Sequence, residues 1–153
     1  MSESFIKIVE NTGRKLVECS CAKCQSQCKV PCLGTPDDIQ KLIRAGYVDK
    51  LRMTLWCVGV ALGKSEQLIP MVQIEQTDSG CVFFKNGLCE LHDLGLKPTE
   101  GKLSHHELKL DNFVFELSLH WNVAKEWLEP ENLIQVVKVF AMMELYLKGL
   151  VSK

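Results

Sequence analysis

The sequence has no long apolar run and carries almost no net charge. Its 153 residues include 18 Lys and Arg against 19 Asp and Glu, a formal net charge of −1. Such a balance gives no electrostatic case for binding nucleic acid or an anionic membrane surface. Leu55–Leu62 is too short to span a bilayer, and Leu133–Val151 is interrupted by Lys138, Glu144 and Lys148. We therefore expect neither a nucleic-acid partner nor a membrane span.

Export signals and familiar catalytic motifs are also missing. Met1–Lys7 has neither a basic segment nor a long apolar one, so no signal peptide is predicted and we expect a cytoplasmic protein. Gly63-Lys64-Ser65 is similar to the end of a phosphate-binding loop, but the position for the earlier glycine holds Val58. Neither a G-x-S-x-G motif nor zinc-deaminase spacing occurs. The sequence therefore singles out no catalytic residue.

What the chain does have is cysteine. Five of its eight cysteines fall within Cys19–Cys32. Four of these form a C-x2-C-x3-C-x3-C run: Cys21, Cys24, Cys28 and Cys32. Thiolates are soft ligands for zinc, copper(I) and iron–sulfur clusters, and short spacing lets one segment deliver several sulfurs to one centre. The run therefore indicates a metal site.

Two other interpretations of the run remain open. At about 100° per residue the four cysteines fall on one stripe of a helix, where they would pack as small apolar side chains. The residues between them are mostly polar, however, and Pro31 does not suit a helix interior. Disulfide bonds are the second alternative, and they need an oxidising compartment. The expected reducing cytosol argues against disulfides, and the polar neighbours argue against the buried stripe, so metal binding is favoured over both.

A helix start follows the cysteines directly. In Thr35-Pro36-Asp37-Asp38, threonine is a capping residue, proline suits the first helical position, and the aspartates complement the helix dipole. Ile39, Leu42 and Ile43 predict the buried face, and Gly46 is placed to end the helix. Cys32 is thus expected just before a helix N-terminus.

The remaining pattern predicts a mixture of helices and strands in one α+β domain, residues 1–153, with helices packed on a short antiparallel sheet. In the first half of the chain we expect short elements on either side of a turn at Asn11–Gly13, a helical piece over Val48–Trp56 and a strand over Leu68–Ile74. A hairpin is expected to pair Gly80–Phe84 with Leu88–His92 around Asn86-Gly87. After it we expect a loop over 93–106, a helix over Phe113–Leu128 and a last helix starting near Pro130. The apolar stripe of that last helix is expected in the core: Leu133, Val136, Val137, Phe140, Met143, Leu147 and Leu150.

A second group of candidate ligands lies in the predicted hairpin. Cys89 and His92 have metal-ligand spacing, and Cys81 would face Cys89 across paired strands. His105 lies in the loop beyond. Three further residues are possible ligands by residue type. We interpret His106 and His120 as surface residues, and Cys57 as a buried small side chain.

These motifs resemble the CxxCxxCC cysteine-cluster family, described as zinc- or iron-chelating domains. The matching pieces span about residues 19–106: Cys21-Ala-Lys-Cys24-Gln-Ser-Gln-Cys28, Thr35-Pro36-Asp37-Asp38-Ile39 and Cys81-Val-Phe-Phe-Lys-Asn-Gly-Leu-Cys89-Glu-Leu-His92. The resemblance implies metal chelation in an α+β domain. It also suggests an alternative function, an iron–sulfur enzyme of methyl or electron transfer, since related domains accompany flagellin lysine methylation.

The chain departs from the family pattern at two places. The adjacent Cys-Cys pair is absent, because Lys29 follows Cys28, and Cys32 is its candidate substitute. A later Arg-Pro-x-x-Cys-Arg is also absent, and His105 is the candidate replacement for its cysteine. Whether Cys32, His92 or His105 closes the site stays open.

The sequence-based hypothesis is therefore a metal-binding protein with a metal ion as its partner. Its candidate ligands are Cys21, Cys24, Cys28, Cys32, Cys81, Cys89 and His105. Mixed Cys and His ligation favours zinc, whereas the crowded run suits an iron–sulfur cluster, so the two cofactors stand nearly even.

Overall fold

A two-stranded antiparallel sheet forms the base against which the helices pack. In the computed structural model, which describes residues 2–16, 31–86, 88–104 and 114–150, β1 (Leu51–Trp56) pairs with β2 (Ile69–Ile74). Leu51 lies opposite Ile74, and Trp56 lies opposite Ile69. The β2 strand agrees with the prediction from its β-rich sequence. All of its residues except Pro70 are buried, which makes it the centre of the core.

Short helices surround this sheet and confirm an α+β fold. Among the described residues the α-helices are α1 (Glu3–Thr12), α2 (Pro36–Arg44), α3 (Val58–Ala61), α4 (Thr99–Leu103), α5 (Leu119–Ala124) and α6 (Leu133–Leu147). Short 3-10 helices lie at Val48–Lys50, Phe115–Leu117, Lys125–Trp127 and Pro130–Asn132. None of the helices in these described parts is long and apolar enough to cross a membrane.

The start of α2 follows the sequence prediction closely. The Asp38 N–H donates to Thr35 Oγ1, and the Thr35 N–H donates to Asp38 Oδ2, which completes a capping box. Pro36 takes the first helical position. Ile39 and Leu42 are fully buried, so the predicted apolar face is the one that packs on the core.

Two small hairpins follow β2, where the sequence predicted one longer hairpin. The first pairs β3 (Gln76–Thr77) with β4 (Gly80–Cys81), and the second pairs β5 (Phe84–Lys85) with β6 (Leu88–Cys89). The predicted turn is confirmed by Asn86, whose φ is 52°. The expected pairing of the Cys81 and Cys89 strands is wrong, because the chain turns twice within this segment.

Buried apolar side chains form two clusters. The larger one joins α2, β1, β2 and α6 around Ile39, Ile69 and Met143. The smaller one joins α1, α4 and α5 through Phe5, Ile8, Leu103, Leu119 and Val123. Cys81 belongs to the larger cluster. The hairpins are therefore packed against the main core.

An ion pair ties α1 to the segment before α6. Lys7 Nζ lies 2.8 Å from Glu126 Oε2 and 2.8 Å from Glu131 Oε1. Burial lowers the pKa of Lys7, but its hydrogen bonds to the two glutamates outweigh burial and hold the pKa above its ordinary value. The Glu126 side chain is fully buried, so Lys7 is its compensating charge.

Several predicted elements need correction. Only Val48–Lys50 is helical in the predicted helix Val48–Trp56, and the rest is strand β1, whose long pairing with β2 outweighs its local helical pattern. The predicted loop over 93–106 contains α4. The predicted helix Phe113–Leu128 is broken within its described part, because Ser118 starts α5 as a new N-cap.

The last helix starts after Pro130 as predicted, but its outer side is not core. Val139 and Met143 are the buried residues of α6. The side chains of Leu133, Val137, Leu147 and Leu150 are exposed, so their assignment to the core was wrong. A helix that is apolar on all sides gives no sequence signal for which face packs inward.

Candidate metal centre

Buried hydrogen bonds fix the position of Gly34, just after the cysteine run. The Gly34 N–H donates to Gln73 Oε1 at 2.8 Å, and Gln73 Nε2 donates back to the Gly34 carbonyl at 3.0 Å. Trp127 Nε1 donates to the same carbonyl at 2.9 Å. These bonds join the segment to β2 and to the helical turn before α6, so Gly34 has a fixed place beside the core.

The neighbours of Gly34 are fixed to α4. The Leu33 N–H donates to Glu100 Oε1 at 3.0 Å, and the Glu100 N–H donates to the Leu33 carbonyl at 3.1 Å. Asp38 Oδ2 accepts from both the N–H and the hydroxyl of Thr99, at 2.8 and 2.6 Å. Backbone and side-chain bonds therefore hold the chain from residue 33 onward against α4, and the residue before it, Cys32, is positioned by them.

The sulfur of Cys32 packs closely against α4. A Cβ added at Gly101 would lie 2.9 Å from Cys32 Sγ, a distance at which something must shift. Only a glycine in α4 lets the sulfur approach the helix this closely.

The two hairpins bring the other described cysteines to the same place. Cys81 ends the first hairpin opposite Gln76, and Cys89 lies in the second hairpin opposite Phe84. Cys32, Cys81 and Cys89 all line one small cavity. Residues distant in sequence are therefore collected around one point, as the sequence hypothesis requires.

The cavity is small and mainly apolar. Its free volume is about 10 Å³, and Phe83 and Leu91 form part of its wall. This is roughly the space that one water molecule needs. Both side chains are almost fully buried, as is Cys81, whereas Cys32 and Cys89 are partly exposed. Soft donors around a space of this size fit a single metal ion better than a larger group.

Burial also sets the protonation of these thiols. Burial raises the pKa of the Cys32 thiol to about 12, and the carboxylate of Glu100 adds to the rise. Burial raises the pKa of Cys81 as well, while hydrogen bonds with the backbone of Phe83 and Phe84 oppose the rise. Without a cation these thiols are protonated at neutral pH. A bound metal would displace their protons and supply the missing positive charge.

The described cysteines do not make a complete site by themselves. Within residues 2–16, 31–86, 88–104 and 114–150, no three His, Cys, Asp or Glu side chains are grouped so as to hold a metal ion. Four predicted ligands lie outside the described residues: Cys21, Cys24, Cys28 and His105. His92 lines a different pocket from the three cysteines.

Cys57 is an exposed cysteine away from the thiol cavity. Cys57 is exposed beside α3, so its interpretation as a buried side chain was wrong. Its place at the start of a very short helix leaves its side chain uncovered. No disulfide involves Cys32, Cys57 or Cys81. For these described cysteines the disulfide interpretation therefore does not hold.

A hydrogen-bonded chain beside Cys32 was missed from the sequence. Trp56 Nε1 donates to His120 Nε2 at 2.7 Å, and His120 Nδ1 lies 2.7 Å from Glu100 Oε2. Donation from Trp56 requires Nε2 to be unprotonated, so the proton of the neutral ring is on Nδ1 and faces Glu100. Both ring nitrogens of His120 are thus occupied. The three residues come from distant segments, and no local pattern could have revealed their contact.

Comparison with known proteins adds no further assignment. No protein-family model, no curated protein and no solved structure matches the chain. The resemblance to the cysteine-cluster family therefore rests on the motif residues alone. The function of the chain is therefore inferred from the chemistry of the site itself.

Proposed function

We propose that this chain is a metal-binding protein with a thiolate centre at the small cavity between α4 and the two hairpins. The observation that carries the proposal is the position of Cys32. It is the last residue of the cysteine run, and it lines the same cavity as Cys81 and Cys89. The run is thereby attached to the place where the hairpin cysteines meet.

The remaining ligand is assigned to the cysteine run. A structural zinc site is four-coordinate, and the described cysteines alone do not form such a group. Cys21, Cys24 and Cys28 precede Cys32 by 11, 8 and 4 positions, counted along the sequence. Because Cys32, Cys81 and Cys89 would supply three sulfurs, we assign the fourth ligand to one of these three, with His105 as the competing closing ligand. Metal affinity would then contribute directly to folding.

Zinc is the metal that this cavity supports best. A single zinc ion needs little more than the space of one small atom, whereas an iron–sulfur cluster adds several iron and sulfide atoms. The free volume of about 10 Å³ favours the single ion. The zinc ion itself has no redox chemistry, which makes a structural or binding role the primary proposal. We further propose a reducing compartment, the cytosol, for a protein with these thiols.

Elemental analysis of anaerobically purified protein tests the proposal. We expect about one equivalent of zinc, no acid-labile sulfide and a colourless protein. A brown protein containing sulfide would instead support the iron–sulfur alternative. Less than about half an equivalent of any transition metal, with all thiols titratable, would reject metal binding altogether.

Ligand variants locate the centre. Cys89→Ser and Cys81→Ser are each expected to lower zinc retention against a chelator by at least about tenfold. The matched control is Cys57→Ser, because Cys57 is exposed and does not line the cavity. If all three variants retain zinc equally well against the chelator, the metal is bound elsewhere. Comparison of His105→Ala with His106→Ala decides whether His105 is a ligand.

A further inference from the structure

A second cavity shares Lys97 with the thiol cavity. Its volume is about 320 Å³, which is within the range of small-molecule sites. Phe5 and Leu16 give it an apolar wall. Lys97 borders both cavities, so this larger pocket adjoins the candidate metal centre without containing its cysteines.

Three lysines line the larger cavity. Lys41 already has a partner, since its Nζ lies 3.0 Å from Asp37 Oδ2. Lys97 and Lys102 are half-buried, and neither forms an ion pair with a carboxylate in the parts of the chain that the structure describes. Two lysines without a carboxylate partner give the cavity a positively charged lining, which suits an anion.

Each of the two lysines contacts a neighbouring residue of the pocket wall. Lys102 Nζ stands 5.9 Å from the centre of the Phe5 ring, a cation–π contact on the apolar wall. The stem of Lys97 packs beside Gly101, where an added Cβ would lie 3.0 Å from its Cγ. The acidic residue of the lining is Asp38, whose Oδ2 already accepts three hydrogen bonds. The pocket thus offers two cations and an apolar surface.

We infer that this pocket binds a small organic anion, a carboxylate or phosphate that also carries an apolar group. The anionic end would lie between Lys97 and Lys102, and the apolar end against Phe5 and Leu16. The inference stands apart from metal binding, because it uses none of the cysteines.

Calorimetric titration of the full chain with matched probes tests this inference. The probes are phenylphosphate, benzoate, inorganic phosphate and benzyl alcohol, at low ionic strength. We expect phenylphosphate or benzoate to bind more tightly than inorganic phosphate, and benzyl alcohol not to bind measurably. The ratio of phenylphosphate to benzoate affinity tells which anionic group the site prefers. Absence of binding by both aromatic anions at about 10 mM overturns the inference.

Charge variants show whether binding occurs at this pocket. Lys97→Met and Lys102→Met keep most of the side-chain volume and should each weaken the better aromatic anion about tenfold. Lys97→Arg should retain binding. The control is Lys64→Met, an exposed lysine outside the pocket. Equal weakening in all three Met variants would show unspecific attraction and overturn the inference. The circular dichroism spectrum and zinc content of each variant distinguish a loss of anion binding from a loss of folding. If Lys97→Met does not fold, the effect of Lys102→Met on anion affinity tests the inference by itself.

Discussion

Adding one methyl group at Gly101 is expected to destabilise the protein by crowding the Cys32 sulfur. The new Cβ would lie 2.9 Å from Cys32 Sγ and 2.8 Å from Lys97 Cε. Lys97 has a flexible end that can turn away. Cys32 cannot move as easily, because the next two residues are hydrogen-bonded to Glu100 and Gln73. The sulfur contact therefore decides the outcome.

The magnitude follows from two opposing effects. Gly101 lies within α4, so alanine suits its backbone and would contribute about 0.5–1 kcal/mol of helix propensity. Overpacking of a buried contact costs about 1–3 kcal/mol. The net loss is about 1–2 kcal/mol, which lowers the Tm of a domain of this size by roughly 2–8 °C.

A double-mutant cycle with Cys32→Ala identifies the cause. Thermal unfolding followed by circular dichroism, in reductant and chelator, measures all four proteins without a metal contribution. Because Cys32→Ala removes the sulfur, Gly101→Ala should cost about 1 kcal/mol less in that background. An equal effect of Gly101→Ala in both backgrounds, or stabilisation in both, would refute the close contact of Cys32 with α4.

Three further variants test buried hydrogen bonds and charges of the fold, each by urea denaturation. Gln73→Leu leaves the buried N–H of Gly34 without its acceptor, so the free energy of unfolding should fall by about 1–3 kcal/mol. An unchanged urea midpoint would argue against this hydrogen bond. Lys7→Met leaves the Glu126 carboxylate uncompensated, at a cost of about 3 kcal/mol, and adding Glu126→Gln should restore part of that loss. Asp38→Ala should cost about 2–4 kcal/mol, more than a helix cap alone, because the carboxylate accepts three hydrogen bonds; a loss below about 1 kcal/mol would contradict this.

Local signals in the sequence determined the elements whose causes are local. Thr35, Pro36 and Asp38 predicted the start of α2, because a helix cap depends on residues within one turn. Asn86 predicted the tight turn, since its positive φ is a property of that position. Pro130 likewise marked where the last helical segment begins. In each case the chemistry lies within a few neighbouring residues.

Tertiary structure decided what depends on distant contacts. The helical pattern over Val48–Trp56 gave way to strand, because pairing with β2 outweighed local propensity. The outward side of α6 was unpredictable, since its apolar residues surround the whole helix. Trp56, His120 and Glu100 come together only through packing.

The candidate site divides in the same way. The sequence alone predicted thiol donors on two cysteine-bearing segments, because thiol chemistry and short spacing are properties of the residues themselves. Only the fold placed Cys32 beside Cys81 and Cys89, and it did so through bonds between segments tens of residues apart. The physical reason is that the chemistry of a ligand depends on its own side chain, whereas the distance between ligands is set by the packing of the core.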